Sequence, residues 1–138
     1  MKVIILIFSL IVTLIANDIE LESSIFNTII QEITSKSTPK VYIHTEVKSL
    51  QTNPKQLQIV QSCKDADIVV LSTLKDIPQA CQGKVFFGTR YGHLKNQDVI
   101  GAFFWQKGRP NVSFYKSRLN AYDIKLDKSF GKYIENDK

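Results

Sequence analysis

The sequence predicts an α/β fold: one layered domain with central parallel strands, a C-terminal antiparallel hairpin and helices packed on the faces. Three observations carry this. The runs Ile68-Val69-Val70-Leu71 and Val85-Phe86-Phe87 are continuously apolar, as strands covered on both faces are. They alternate with stretches whose apolar residues recur at helical spacing, the pattern of a parallel sheet wound with helices. Finally, Val99–Gln106 and Val112–Tyr115 are rich in β-branched and aromatic residues and flank Lys107-Gly108-Arg109-Pro110-Asn111, which predicts a hairpin with a longer loop. Pro110 lacks an amide donor and suits that loop better than a central strand.

Taken in order, Ile19–Ser35 sets Ile25, Phe26, Ile29, Ile30 and Ile33 on one helical stripe, with Ser23 or Ser24 as an internal cap and Pro39 as the stop. Val41–Thr45 follows as a short strand on which His44 alternates with the apolar positions, so it is expected to be exposed rather than to be a ligand. Asn53 and Pro54 suit the cap and first turn of a helix reaching about Ala66 and burying Leu57, Val60 and Cys63. Asp67 turns the chain into 68–71. The crossover from 41–45 to 68–71 is expected to be right-handed, with its helix on one face. Between 76 and 82 there is room for a short helix only. Ser117–Tyr122 and Asp127–Ile134 read as two closing helices, the second burying Phe130, Tyr133 and Ile134.

Before all this stands Met1–Ala16, with Lys2, an apolar run over Val3–Ile15 and no acid. The run is shorter than the roughly 20 residues that span a bilayer and suits a secretory signal; a retained anchor is the competing reading. Export to the periplasm is therefore expected, with 1–16 as signal and 17–138 as the domain. Removal of the signal leaves 122 residues, enough for a single core, and a formal charge of +4. That charge is dispersed, with no block of five like charges, and does not indicate nucleic acid. Cys63 and Cys81 are then expected to be bridged, with two buried thiols as the alternative. Their spacing is neither C-x-x-C nor that of a zinc site.

Chemistry is sparsely marked. There are two histidines, and no G-x-S-x-G elbow, P-loop or G-x-G-x-x-G, so neither catalysis nor a cofactor or metal is expected. Asp65, Asp67 and Asp76 are spaced as loop and cap residues, and the sequon Asn111-Val112-Ser113 is too cheap a match to weigh. The segment Gly88-Thr89-Arg90-Tyr91-Gly92-His93 follows a strand, where open α/β sheets bind ligands. Arg90 would give a planar fork for an anion or carboxylate, with Tyr91 and His93 beside it; an ordinary polar loop is the plainer alternative. Trp105 and Arg109 form a second candidate, for a partner protein, since tryptophan and arginine are common interface anchors; a simply buried Trp105 is its alternative.

The order of features from Cys63 onward resembles the YfiR-like periplasmic regulators. Cys63 with Asp67–Ser72, Gly83-Lys84-Val85-Phe86-Phe87, Gly101-Ala102-Phe103-Phe104 and Gly108-Arg109-Pro110-Asn111 follow that family's sequence of strands and turn. Val112-Ser113-Phe114-Tyr115 then passes into Ser117–Leu126 and Phe130–Ile134. The likeness covers about the last eighty residues. Tyr115 and Ser117 replace the glutamate and asparagine of the family's F-E-I-N segment, and its first strand–helix unit has no counterpart here. The resemblance implies a periplasmic protein that restrains a membrane-bound signalling enzyme by binding its outer sensor domain. The rival expectation is a small-ligand module, like half of a solute-binding protein, taking an anion or carboxylate at Arg90, Tyr91 and His93.

Overall fold

A computed structural model describes the backbone of residues 2–136 and the side chains of residues 18–136, so the signal expected at 1–16 lies outside the described side chains. The fold is α/β, and every strand joins one seven-stranded sheet in the order β2-β1-β3-β4-β5-β6-β7. The strands are β1 (Lys40–His44), β2 (Gln58–Val60), β3 (Ile68–Leu71), β4 (Phe86–Gly88), β5 (Val99–Gln106), β6 (Arg109–Tyr115) and β7 (Ile134–Glu135). The first five are mutually parallel; β6 runs antiparallel to β5, and β7 parallel to β6.

The expected stripe is the packing face of α1 (Lys2–Thr34), where Phe26, Ile29, Ile30 and Ile33 are buried. They pack with Val41, Ile43, Ile68, Val70, Phe87 and Phe103 from the sheet. Phe26 sits with its ring centroid 5.1 Å from that of Phe103 and 6.2 Å from that of Phe87. Ser23 does not start the helix. It lies within α1, fully buried, and its hydroxyl donates to the Ser49 carbonyl of α2 (Lys48–Thr52) at 2.9 Å.

Among the described residues, the apolar cluster on the opposite face takes no residue from an α-helix. Val69, Leu71, Phe86, Val99 and Ala102 are covered by Cys63, Cys81 and Leu94, which come from short 3-10 turns at 63–65, 79–81 and 91–95. Cys63 and Cys81 are bridged, as expected, with Cα atoms 5.0 Å apart. Arg118, on α3 (Lys116–Ala121), is also buried. It directs Nη1 at the carbonyls of Leu94, Asn96 and Val99 (2.8, 3.1 and 2.9 Å) and lays its guanidinium 4.3 Å from the Tyr115 ring centroid.

Several expectations are corrected. Residues 54–66 are not a helix: Gln58–Val60 pair with Lys40–Tyr42 as the edge strand β2, and only a 3-10 turn follows. Leu57 and Cys63 are buried there as expected, while Val60 is half-buried. The hairpin loop is two residues long. Lys107 (φ 52°) and Gly108 (φ 73°) are both left-handed, the geometry whose twist matches paired strands. Arg109 and Pro110 consequently lie in β6, opposite Gln106 and Trp105. Pro110 is tolerated because β7 reaches only Phe114 and Tyr115, so no outer strand needs its missing amide. The expected helix at 127–134 is a 3-10 turn ending in β7, with Phe130, Tyr133 and Ile134 half-buried.

Candidate functional site

A parallel sheet has two unlike ends, and this one uses them differently. At the end where β3 and β4 begin, charges are consumed by the fold. Lys36 Nζ lies 2.6 Å from Asp67 Oδ1, Asp67 Oδ2 accepts the Lys40 amide at 2.8 Å, and Lys84 donates to the Ala66 carbonyl at 2.9 Å. Burial acts to raise the Asp67 carboxyl, but the Lys36 ammonium and the Lys40 amide outweigh it and hold the group below the usual range.

At the carboxyl end β1, β3 and β4 finish level, at His44, Leu71 and Gly88, while β5 runs on past Ala102 to Gln106; the carboxyl end is the place where such sheets hold ligands. His44 is buried there rather than exposed, and its Nε2 donates to the Lys75 carbonyl at 2.6 Å. Ser72 bonds the His44 carbonyl through both its amide and its hydroxyl (3.2 and 3.0 Å), and its hydroxyl meets that of Thr45. The ends of β1 and β3 are thus sealed by their own polar groups.

The end of β4 is built differently. A Cβ on Gly88 would fall 2.7 Å from the His93 Cβ, so only glycine lets the imidazole lie across the strand end. His93 is buried, and its Nδ1 accepts the Thr89 amide at 3.1 Å, which places the proton of the neutral ring on Nε2. Burial first, and the neighbouring Arg90 charge second, hold its pKa below the ordinary histidine value. The Thr89 hydroxyl donates to the Leu71 carbonyl at 2.9 Å, and the His93 amide to the Arg90 carbonyl at 3.1 Å. This lattice fixes the backbone under Arg90 and Tyr91, whose side chains are left outside.

Of the residues singled out from sequence, Arg90, Tyr91 and Trp105 come together. They line one cleft of about 380 Å³ with Thr89, Phe104 and Gln106. Tyr91 is 63% exposed and Trp105 40%; Trp105 is therefore not simply buried. The Tyr91 ring meets Phe104 edge-on at 5.3 Å, and Trp105 meets Phe103 edge-on at 5.8 Å. The indole Nε1 donates to Glu22 Oε1 of α1 at 2.8 Å. Arg109 starts β6 at the same end, opposite Gln106, and is exposed. His93 is brought beside the group but faces inward, as its support rather than as part of its surface. Cys63 and Cys81 belong to the covered face.

A second, smaller cleft of about 210 Å³ shares Arg90 and Thr89 and adds Glu22, Glu46, Lys48 and Ser72. Sequence reasoning missed these; their signal was only that each follows a strand or faces one from α1. Elsewhere, a larger groove, about 470 Å³, lies between Ile25 and Ile29 of α1, Val112 of β6 and Phe130 with Tyr133. It is mainly apolar and carries one cation, Lys132. Among the described residues no cluster of three histidine, cysteine or acidic side chains is placed to hold a metal, and no helix is long and apolar enough to cross a membrane. Compared with known proteins, the chain matches no family model, no curated protein and no solved structure.

Proposed function

We propose that this is a non-catalytic periplasmic recognition protein whose carboxyl-end ledge docks a partner, the sensor domain of a membrane-bound signalling protein. The observation that carries the reading is the convergence of two exposed aromatic side chains, Tyr91 and Trp105, with two exposed arginines, Arg90 and Arg109, on one end of a rigid sheet. Large apolar surface left in water beside guanidinium groups is the usual anchor of an interface. The apolar opening 1–16 and the YfiR-like order of strands supply the compartment and the class of partner.

The test places a photo-crosslinking residue on the ledge (Trp105→p-benzoylphenylalanine) and, as control, at the opposite end (Lys125→p-benzoylphenylalanine), in the native host cell. A membrane protein captured from position 105 and not from 125 supports the reading. Equal capture, or none from 105, removes it.

A second reading, a small anionic ligand at Arg90, is favoured by one observation. Arg90 lines both clefts and forms no salt bridge among the described residues. A thermal-shift screen of anions tests it, since a ligand at 100 times its Kd adds about 2.7 kcal/mol. No shift, or a shift unchanged in Arg90→Ala, rejects it.

A further inference from the structure

The walls of the two clefts at Arg90 say which anion fits. The smaller one sets two carboxylates, Glu22 and Glu46, against its two cations, Lys48 and Arg90, so it has no unbalanced positive charge for a further anion. The larger one holds no carboxylate; its lining is Thr89, Arg90, Tyr91, Phe104, Trp105 and Gln106. An anion on Arg90 therefore lies on the Tyr91–Trp105 side. That cleft has one cation, which balances a single negative charge, and a guanidinium matches the two oxygens of a carboxylate in a planar fork. It also has three rings, two of them exposed, which an aliphatic anion would leave uncovered.

We infer that the cleft takes a flat ring bearing a carboxylate, the carboxylate on Arg90 and the ring against Tyr91 and Trp105. The inference rests on the ligand-binding reading above and specifies its ligand. The support beneath Arg90 favours it. The Gly88–His93 packing and the Thr89 bonds to His93 and Leu71 hold the loop before any ligand arrives, so little ordering is left to oppose binding.

Trp105 is the chain's one tryptophan, so intrinsic fluorescence reports this cleft directly. The full chain is titrated with phenylacetate, phenylacetamide, acetate and phenyl phosphate. Phenylacetate is expected to give a saturable change, with the amide and acetate at least about tenfold weaker. Arg90→Ala is expected to weaken phenylacetate by about tenfold or more, and Tyr91→Ala by a smaller factor. Both side chains are exposed, so both variants should unfold at the parent temperature, which is checked first. Acetate as tight as phenylacetate overturns the ring while leaving an anion site; phenyl phosphate tighter than phenylacetate overturns the carboxylate. A saturable response unaffected by Arg90→Ala, or no response to any probe, overturns the inference and the ligand reading together.

Discussion

The two faces of the sheet are closed by different means. On one, α1 lays Phe26, Ile29, Ile30 and Ile33 over the strands, joined by Val47, Leu50, Leu57 and Leu119, and the cover is apolar area. On the other, three short turns bring Cys63, Cys81 and Leu94 down onto the strands and are held there by particular bonds. These are the disulfide, the Arg118 guanidinium on three carbonyls and the Thr89 amide on His93. A face closed by area loses stability in proportion to what is cut away. A face closed by tethers loses the placement of one segment when one tether goes. The loop that presents Arg90 and Tyr91 belongs to the tethered face, so the candidate site depends on the bonds more than on the core.

The largest effect should come from the area-closed face. Phe26→Ala removes a fully buried ring that touches Phe87 and Phe103, and is expected to cost about 3–5 kcal/mol. Urea unfolding followed by circular dichroism measures this. A loss below 1 kcal/mol would mean that α1 is not the cover of that face. Cutting the bridge on the other face comes next. Cys63→Ser with Cys81→Ser opens a loop with a sequence separation of 18, worth about 3 kcal/mol in the chain-entropy model. Reduction of the parent protein should reproduce the loss, and equal stability with and without reductant would show that the turns hold by packing alone.

The same contrast explains what could be read from the chain and what could not. The α1 stripe is a repeat of apolar residues at helical spacing over several turns, and the buried strands are unbroken apolar runs; both patterns are local. Gln58–Val60 defeated the reading because three residues are too few to show a strand period, while Leu57, Val60 and Cys63 recur at a helix-like interval and Asn53-Pro54 supplies an apparent cap. Pairing with β1 overrode both. Tethers are harder still to foresee. Nothing near Arg118 in sequence announces carbonyls 19 to 24 residues away, and His44 and His93 look alike until burial assigns each a different bond. Arg90 and Tyr91 were legible as a polar segment after a strand, and Trp105 as an anchor. Their meeting was not, because it depends on β4 and β5 being neighbours in parallel.

Arg118 offers a cleaner test of a tether than the bridge does. Arg118→Met keeps most of the stem and removes the guanidinium, leaving the carbonyls of Leu94, Asn96 and Val99 without that donor. The expected cost is about 2 kcal/mol, from desolvated acceptors rather than from lost area. Hydrogen exchange should show the change concentrated in 91–99, with the amides of α1 protected as before. A uniform loss of protection would make Arg118 part of a common core and erase the distinction between the faces.

The smallest effect, and the one that joins the tethers to the site, is the titration of His93. Its pKa in the folded chain is depressed from the ordinary 6.5, by burial and then by Arg90, so the unfolded chain takes up this proton first as pH falls. Where the unfolded state binds more protons, stability rises with pH. The contribution is therefore complete above about pH 6.5 and is lost progressively below it, toward the depressed folded value. His93→Gln, which can still accept the Thr89 amide, should flatten the pH dependence of urea unfolding in that window and leave stability at pH 8 little changed. A carboxylate on Arg90 would neutralise the second cause of the shift, so saturating phenylacetate should move the His93 ring titration upward, as read by its proton resonances. An unmoved titration in the presence of bound phenylacetate would place the anion away from Arg90 and separate the loop's support from its surface.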